Sequence, residues 1–201
     1  RSTWAKRAGG QFFTDARVTH LALSLLEFDP RSGDDLVDPA AGTGGFLLAG
    51  LNRIDTLLGN GRRNGAREER VVAMARTRLR GVEVDADVCT AANSTLTARL
   101  GKGDRTLVTQ GDSLKMLSAG FPDACGLRVG FHRCVATNPP FGTRITVKDP
   151  TVLSAFELAV VGSRLPQLEL GLGRLTPRAP DVLFLELCVN LLEPGGGRLA
   201  I

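Results

Sequence analysis

Residues 134–142 read Cys-Val-Ala-Thr-Asn-Pro-Pro-Phe-Gly. A short apolar run, strand-like in composition, stops at an amide, two prolines and an aromatic ring. Prolines cannot donate to a sheet ladder and they fix φ, so the chain must leave the sheet stiff and extended. Such a strand tip suits one kind of chemistry. The exocyclic amine of a nucleobase is a poor nucleophile, because its lone pair is delocalised into the ring. Two rigid acceptors, the side-chain oxygen of Asn138 and the carbonyl of Pro139, could take both N–H groups and favour a pyramidal nitrogen. The lone pair would then point at a methyl donor, and catalysis would be positioning plus electrostatics without a strong base. Pro140 would keep the pair rigid, and Phe141 would stack on a flipped-out base. The plainer reading is an Asn-Pro-Pro turn ahead of a core phenylalanine.

A second motif, "VDPAAGTGGF", occupies 37–46. Asp38 would end a strand and Ala40, Ala41, Gly42, Thr43 and Gly44 would form the turn into a helix. Gly42 and Gly44 let backbone approach a ligand closely, and a helix start offers free N–H groups. The spacing is neither the dinucleotide G-x-G-x-x-G nor a P-loop with its lysine. Asp-x-x-x-Gly-x-Gly is the pattern of S-adenosylmethionine sites. In "GVEVDAD" (81–87), Glu83 could accept from both ribose hydroxyls of a nucleoside cofactor, with Val84 against the adenine ring. In "QGDSL" (110–114), Asp112 could accept from the adenine amine, although an aspartate there is also a common N-cap. Three successive strand ends would each present an acid at the edge where open α/β sheets bind ligands.

These positions require a particular scaffold. Thr14 to Phe28 reads as a helix with Thr14 as N-cap, Asp15 in its first turn, and Val18, Leu21, Leu25 and Leu26 on the inner face. Strands are expected at 34–38, 79–85, 106–112 and 134–138. Helices are expected at 44–58, 86–100 and 181–192, with a last strand opening at "RLAI". Residues 59–70, "GNGRRNGAREER", read as a surface insertion, and 142–180 as a long substrate-side loop. Alternating β and α elements predict one Rossmann-like α/β domain over 1–201, mostly parallel, with helices on both faces. The chain opens on Arg1 and closes within "RLAI". The expectation is therefore a catalytic-domain piece of a longer protein, its sheet cut after the fifth strand.

Composition narrows the classes further. Of 201 residues, 43% are hydrophobic and 23% charged, an ordinary balance for a globular domain. No apolar run reaches the roughly 20 residues of a membrane span, and no signal peptide follows the basic start. Cys89, Cys125, Cys134 and Cys188 form no CxxC pair, and a reducing, cytoplasmic setting is expected. Cys125, His132 and Cys134 match no zinc spacing, so no metal is expected. The net charge of +4 is compatible with nucleic acid without demonstrating it. Arg62, Arg63, Arg67 and Arg70 are either a solvated loop or a phosphate contact.

Taken together, "GQFFTDARVTHLAL", "VDPAAGTGGFLL", "GVEVDAD", "GDSL", "NPPFG" and "PDVLFLELCVNLLEPGGGRLAI" resemble the amino-group DNA methyltransferases. The likeness is greatest to the modification subunit of type I restriction systems and related N6-adenine methylases, and runs from about Gly10 to Ile201. The resemblance implies a class I methyltransferase fold, S-adenosylmethionine as cofactor and an adenine in double-stranded DNA as target. It implies that Gln11, Phe12, Phe13 and Thr14 close over the methionine end of the cofactor. Asp38 and Ala40 to Gly44 would hold its amino-acid portion, Glu83 its ribose and Asp112 its adenine, with Val84 and Ser113 beside them. Asn138, Pro139, Pro140 and Phe141 would be the catalytic tetrapeptide. Related motifs also serve enzymes that methylate guanine amines of ribosomal RNA or glutamine side chains. A methylase fold kept only for binding is the non-enzymatic alternative. Recognition of the DNA sequence would come from a separate specificity subunit or a C-terminal target-recognition domain. Asp15 replaces the proline usual in the family, which puts an extra carboxylate near the cofactor's own.

Overall fold

The computed structural model describes residues 14–59, 65–101, 106–141, 146–161 and 174–201. In chain order the elements are α1 (Ala16–Leu25), β1 (Leu36–Asp38), α2 (Gly45–Leu57), α3 (Gly65–Arg78), β2 (Leu79–Glu83), α4 (Ala86–Leu100) and β3 (Val108–Gln110). There follow α5 (Ser113–Ala119), β4 (Cys134–Ala136), α6 (Pro150–Leu153), β5 (Val160–Val161), β6 (Arg174–Leu175), α7 (Pro180–Leu191) and β7 (Arg198–Ala200). Five strands form one parallel sheet in the order β3-β2-β1-β4-β7, and β5 and β6 form a separate antiparallel pair. The order reverses between β1 and β4, which is where open α/β sheets leave a crevice beyond their strand ends.

Successive strand residues point to opposite faces, and the core divides accordingly. Leu36, Leu79, Val108, Cys134 and Ala136 pack with Leu23, Phe46, Leu47, Ile54, Leu96 and their neighbours from α1, α2 and α4. Val37, Val82, Val135 and Leu199 pack on the other face with Leu114, Phe156, Leu183, Phe184 and Leu187. Both faces are therefore covered, as near-continuous apolar strands require. Gly50 lets α2 lie against the sheet, since a β-carbon there would stand 2.9 Å from Leu36 Cδ2 and 3.0 Å from Leu79 Cδ2.

Four expectations need correction. Asp15, not Thr14, is the N-cap of α1, accepting from Arg17 N at 2.8 Å, and Arg17 returns to it through Nη2 at 2.9 Å. That ion pair, with the backbone bond, holds Asp15 below the usual carboxylate range. The face of α1 that turns inward carries Thr19 and Leu23, with Leu26 following, whereas Val18, Leu21 and Leu25 are exposed. Apolar spacing identified a stripe but could not say which side the sheet would cover.

The segment read as an insertion ends inside α3. Glu68 in its first turn and Arg76 and Arg78 in its last suit the helix dipole, and Val71 and Ala75 bury one face. Arg67 does not project as a free cation. With Arg99 it pairs to Asp55 of α2, each at 2.9 Å, joining α2, α3 and α4. Arg62 and Arg63 lie outside the described residues, and Arg70 is exposed. The described parts of 142–180 are not a plain loop, for they hold α6 and the β5–β6 pair, with Val147 bridging Arg178.

At the other end of the strands, His132 is buried and its Nδ1 lies 2.5 Å from Asp35 Oδ2, while Nε2 accepts from Arg128 N at 2.9 Å. An acceptor at Nε2 places the proton on Nδ1, so the imidazole is a neutral brace between the starts of β1 and β4. Both nitrogens are used, and Cys125 and Cys134 are buried thiols. No group of three or more His, Cys, Asp or Glu among the described residues could hold a metal.

Candidate functional site

Strand register sets the site. Asp38 stands level with Gly81 of β2, and Glu83 with Gln110 of β3. Glu83 therefore lies two residues beyond the level of Asp38, and Asp112 two beyond that of Glu83. At about 3.3 Å per residue, each step is roughly 7 Å. On the other side Val37 pairs with Val135, which puts Asn138 two residues beyond Asp38. The three acids and the Asn-Pro-Pro-Phe tip thus flank one crevice, at the point where strand order reverses.

Asp38 is only 1% exposed. Its Oδ1 accepts from Ala40 N at 3.0 Å, and no cation of the described residues pairs with it. Burial pushes the carboxyl up to about 7, and nearby Glu83 adds to the rise. The Thr137 hydroxyl faces Asp38 and opposes that rise, although it lacks the alignment of a full hydrogen bond. Sequence reasoning missed Thr137. The signal available was a hydroxyl residue at the last position before Asn138, where an apolar strand residue would have served folding equally well.

The turn after β1 is braced from the next strand. Ala41 N donates to Val82 O at 2.9 Å and Gly42 N to Glu83 Oε2 at 2.9 Å, while Asp85 N donates to Glu83 Oε1 at 2.8 Å. Gly42 and Gly44 have φ of +53° and +85°, a conformation costly for other residues. Gly44 is the N-cap of α2 without a side-chain cap, so the first amides of that helix are not closed off from its own side. Above Gly42 the space is open, since a β-carbon there would meet nothing within 4 Å. Burial also raises the Glu83 carboxyl. Val84 is partly exposed beside it, as is Thr43 in the turn.

Ser113 does not face the crevice. It is buried, and its hydroxyl donates to Pro39 O at 2.5 Å, so it holds the turn from beneath. Asp112 caps α5, with Oδ1 3.4 Å from Lys115 N, and is partly exposed.

Asn138 is tied from across the crevice. Its Nδ2 donates to Thr14 Oγ1 at 3.2 Å, and the preceding Thr137 N donates to Ala200 O of β7 at 3.0 Å. Pro139 is buried and Pro140 partly so. Phe141 is 50% exposed, which excludes the reading of a core phenylalanine behind a plain turn. Gln11, Phe12 and Phe13 lie outside the described residues.

The sheet order, the glycine turn and the acids at successive strand ends define a Rossmann-like methyltransferase fold. The chain matches the model of the N-6 DNA methylase family over residues 2–200 and belongs to that family. Its fold is similar to the crystal structure of a modification subunit assigned to a type I restriction enzyme of Vibrio vulnificus YJ016, at a TM-score of 0.64 and 20% identity. That match covers 96% of this chain and 35% of the other. It is also similar to the M protein of the type I restriction enzyme EcoKI, at a TM-score of 0.58 and 21% identity, over 92% of this chain and 32% of that one. The chain thus spans about a third of the length of these solved structures. No described helix is long and apolar enough to cross a membrane.

Proposed function

We propose that this chain carries the catalytic site of a DNA methyltransferase that acts on the N6 amine of a flipped-out adenine, with S-adenosylmethionine as cofactor. The observation that carries the reading is the junction of β1 and β4, where the Asp38 turn and the Asn138-Pro139-Pro140-Phe141 tip flank one crevice. The donor set fits a cofactor with a cationic amino-acid end and a nucleoside end. Asp38 is a buried carboxyl without a cation, and the space above Gly42 is open. Ala40 to Gly44 and Asp38 would hold the amino-acid portion, Glu83 the ribose and Asp112 the adenine.

When bound, the cofactor supplies an electrophilic methyl group. The chain's own part is to present acceptors. Asn138 Oδ1 and the Pro139 carbonyl take the two N–H groups of the target amine, and the proline rings keep both from turning away. Phe141, half exposed beside them, offers a face for an extruded base. No side chain needs to act as a strong base, because positioning supplies the advantage. Membership of the N-6 DNA methylase family supports the DNA amine over a ribosomal RNA guanine or a protein glutamine. DNA sequence recognition is assigned to a specificity subunit or a target-recognition domain outside this chain, within a cytoplasmic restriction-modification system.

The test uses the full protein with any specificity partner, double-stranded DNA and S-adenosylmethionine labelled at the methyl group. The expected result is label in N6-methyladenine after digestion to nucleosides. Label in another nucleoside or in protein overturns the adenine assignment. Absence of binding heat at millimolar cofactor overturns the enzyme reading.

A further inference from the structure

We propose that Thr14 is a positioning residue that sets the orientation of the Asn138 amide and couples it to the turn that opens α2. The inference rests on the methyl-transfer reading above. An asparagine side chain can present either its oxygen or its NH2 group to a ligand, and the two differ by a half-turn of the terminal torsion. An amine target needs the oxygen, because a second donor facing its N–H groups would repel them. The choice therefore has to be made by a neighbour.

Thr14 makes it. Its Oγ1 receives Asn138 Nδ2 at 3.2 Å, from a residue 124 positions away in the chain. With the NH2 group held there, Oδ1 is left for the crevice. The preceding residue, Thr137, is locked by its backbone bond to Ala200, and the following two are prolines. Asn138 thus has a fixed backbone and one free torsion, and the Thr14 contact removes that freedom.

Thr14 is itself held at a meaningful place. It stands just before the Asp15 cap of α1, and its carbonyl lies over Gly45, 4.0 Å from where a β-carbon there would be. Gly45 is the first residue of α2, immediately after the Gly42–Gly44 turn. One residue therefore touches both the start of the proposed cofactor turn and the proposed catalytic amide. A valine at 14 has the shape of threonine without the acceptor, whereas a serine keeps the acceptor and loses a methyl group.

Two measurements test this. The first needs no activity. In this chain labelled with nitrogen-15, the Asn138 side-chain NH2 signals are identified by their loss in Asn138→Ala. They are expected to shift in Thr14→Val and to keep their positions in Thr14→Ser. The second compares kcat with cofactor Kd in the full protein. Thr14→Val is expected to lower kcat about 10- to 100-fold with Kd within about threefold, and Thr14→Ser to restore kcat. Unmoved NH2 signals in Thr14→Val overturn the contact, and a moved signal with unchanged kcat overturns its role. A wild-type protein that shows the signal behaviour but transfers no methyl group to DNA overturns the reaction, and with it the purpose of the contact.

Discussion

Glu83, at the end of β2, accepts from Gly42 N through one oxygen and from Asp85 N through the other, at 2.9 and 2.8 Å. The same carboxylate therefore shapes the turn after β1 and stands ready for a ligand, since a carboxylate has about four acceptor positions. Glu83→Gln replaces one acceptor with a donor that faces a backbone N–H. We expect it to cost about 1–3 kcal/mol of stability and to weaken cofactor binding. Thermal melts and calorimetry with S-adenosylmethionine are the checks. A variant with wild-type melting and wild-type Kd would contradict both roles.

Asp38 makes stability depend on pH in a stated direction. Its carboxyl rises from 3.8 to about 7 on folding, chiefly through burial. A group with a raised acid pKa binds its proton more tightly when folded, so stability is highest below about pH 4 and falls as pH climbs to about 7. Asp38→Asn removes this slope and can still accept from Ala40 N. Its new NH2 group would face the Thr137 hydroxyl. We expect the variant to melt above wild type at pH 8, and the difference to shrink or reverse at pH 4.5. An equal offset at both values would show that Asp38 ionises like an exposed acid.

Asn138→Ala and Phe141→Ala should separate chemistry from engagement. Removing the Asn138 acceptor is expected to lower methyl transfer by about 100-fold or more while cofactor Kd holds, in line with the loss of one preorganised transition-state contact. Phe141→Ala, at a half-exposed position, should leave melting almost unchanged and weaken DNA binding instead. Equal kcat in the Asn138 variant would remove it from the reaction.

Gly50→Val tests the packing beneath the site. A β-carbon would already crowd Leu36 and Leu79 at 2.9–3.0 Å, and valine adds two methyl groups beyond it. We expect a loss of about 1–3 kcal/mol, read from a urea midpoint. A midpoint equal to that of wild type would mean that α2 can lift from the sheet without cost.

Much of this site was legible before any coordinates. The glycine turn, the acids at strand ends and the rigid strand tip each follow from local chemistry, and local chemistry is what sequence displays. The failures share one physical cause, which is that they depend on neighbours distant in the chain. Ser113 looked like a ligand contact because it follows Asp112, yet its partner is Pro39 O, 74 residues away. Val18, Leu21 and Leu25 looked like an inner face because they are apolar, but Thr19 and Leu23 meet α2 instead. The polar α3 looked like an insertion, since its ties to Asp55 are ion pairs that no periodicity reveals. Thr14 looked like a helix cap, but its hydroxyl was engaged with Asn138 and the cap fell to Asp15.

The two cores meet along β1, with Leu36 packing into one and Val37 into the other. One residue inserted anywhere between Gly33 and Leu36 would exchange these faces and slide Asp38 along the sheet edge. It would leave Thr137 opposite a different atom and Gly42 beyond the reach of Glu83. Folding and the alignment of the crevice thus answer to a single count of residues. Selection against misfolding in this segment therefore also preserves the alignment of the proposed active site.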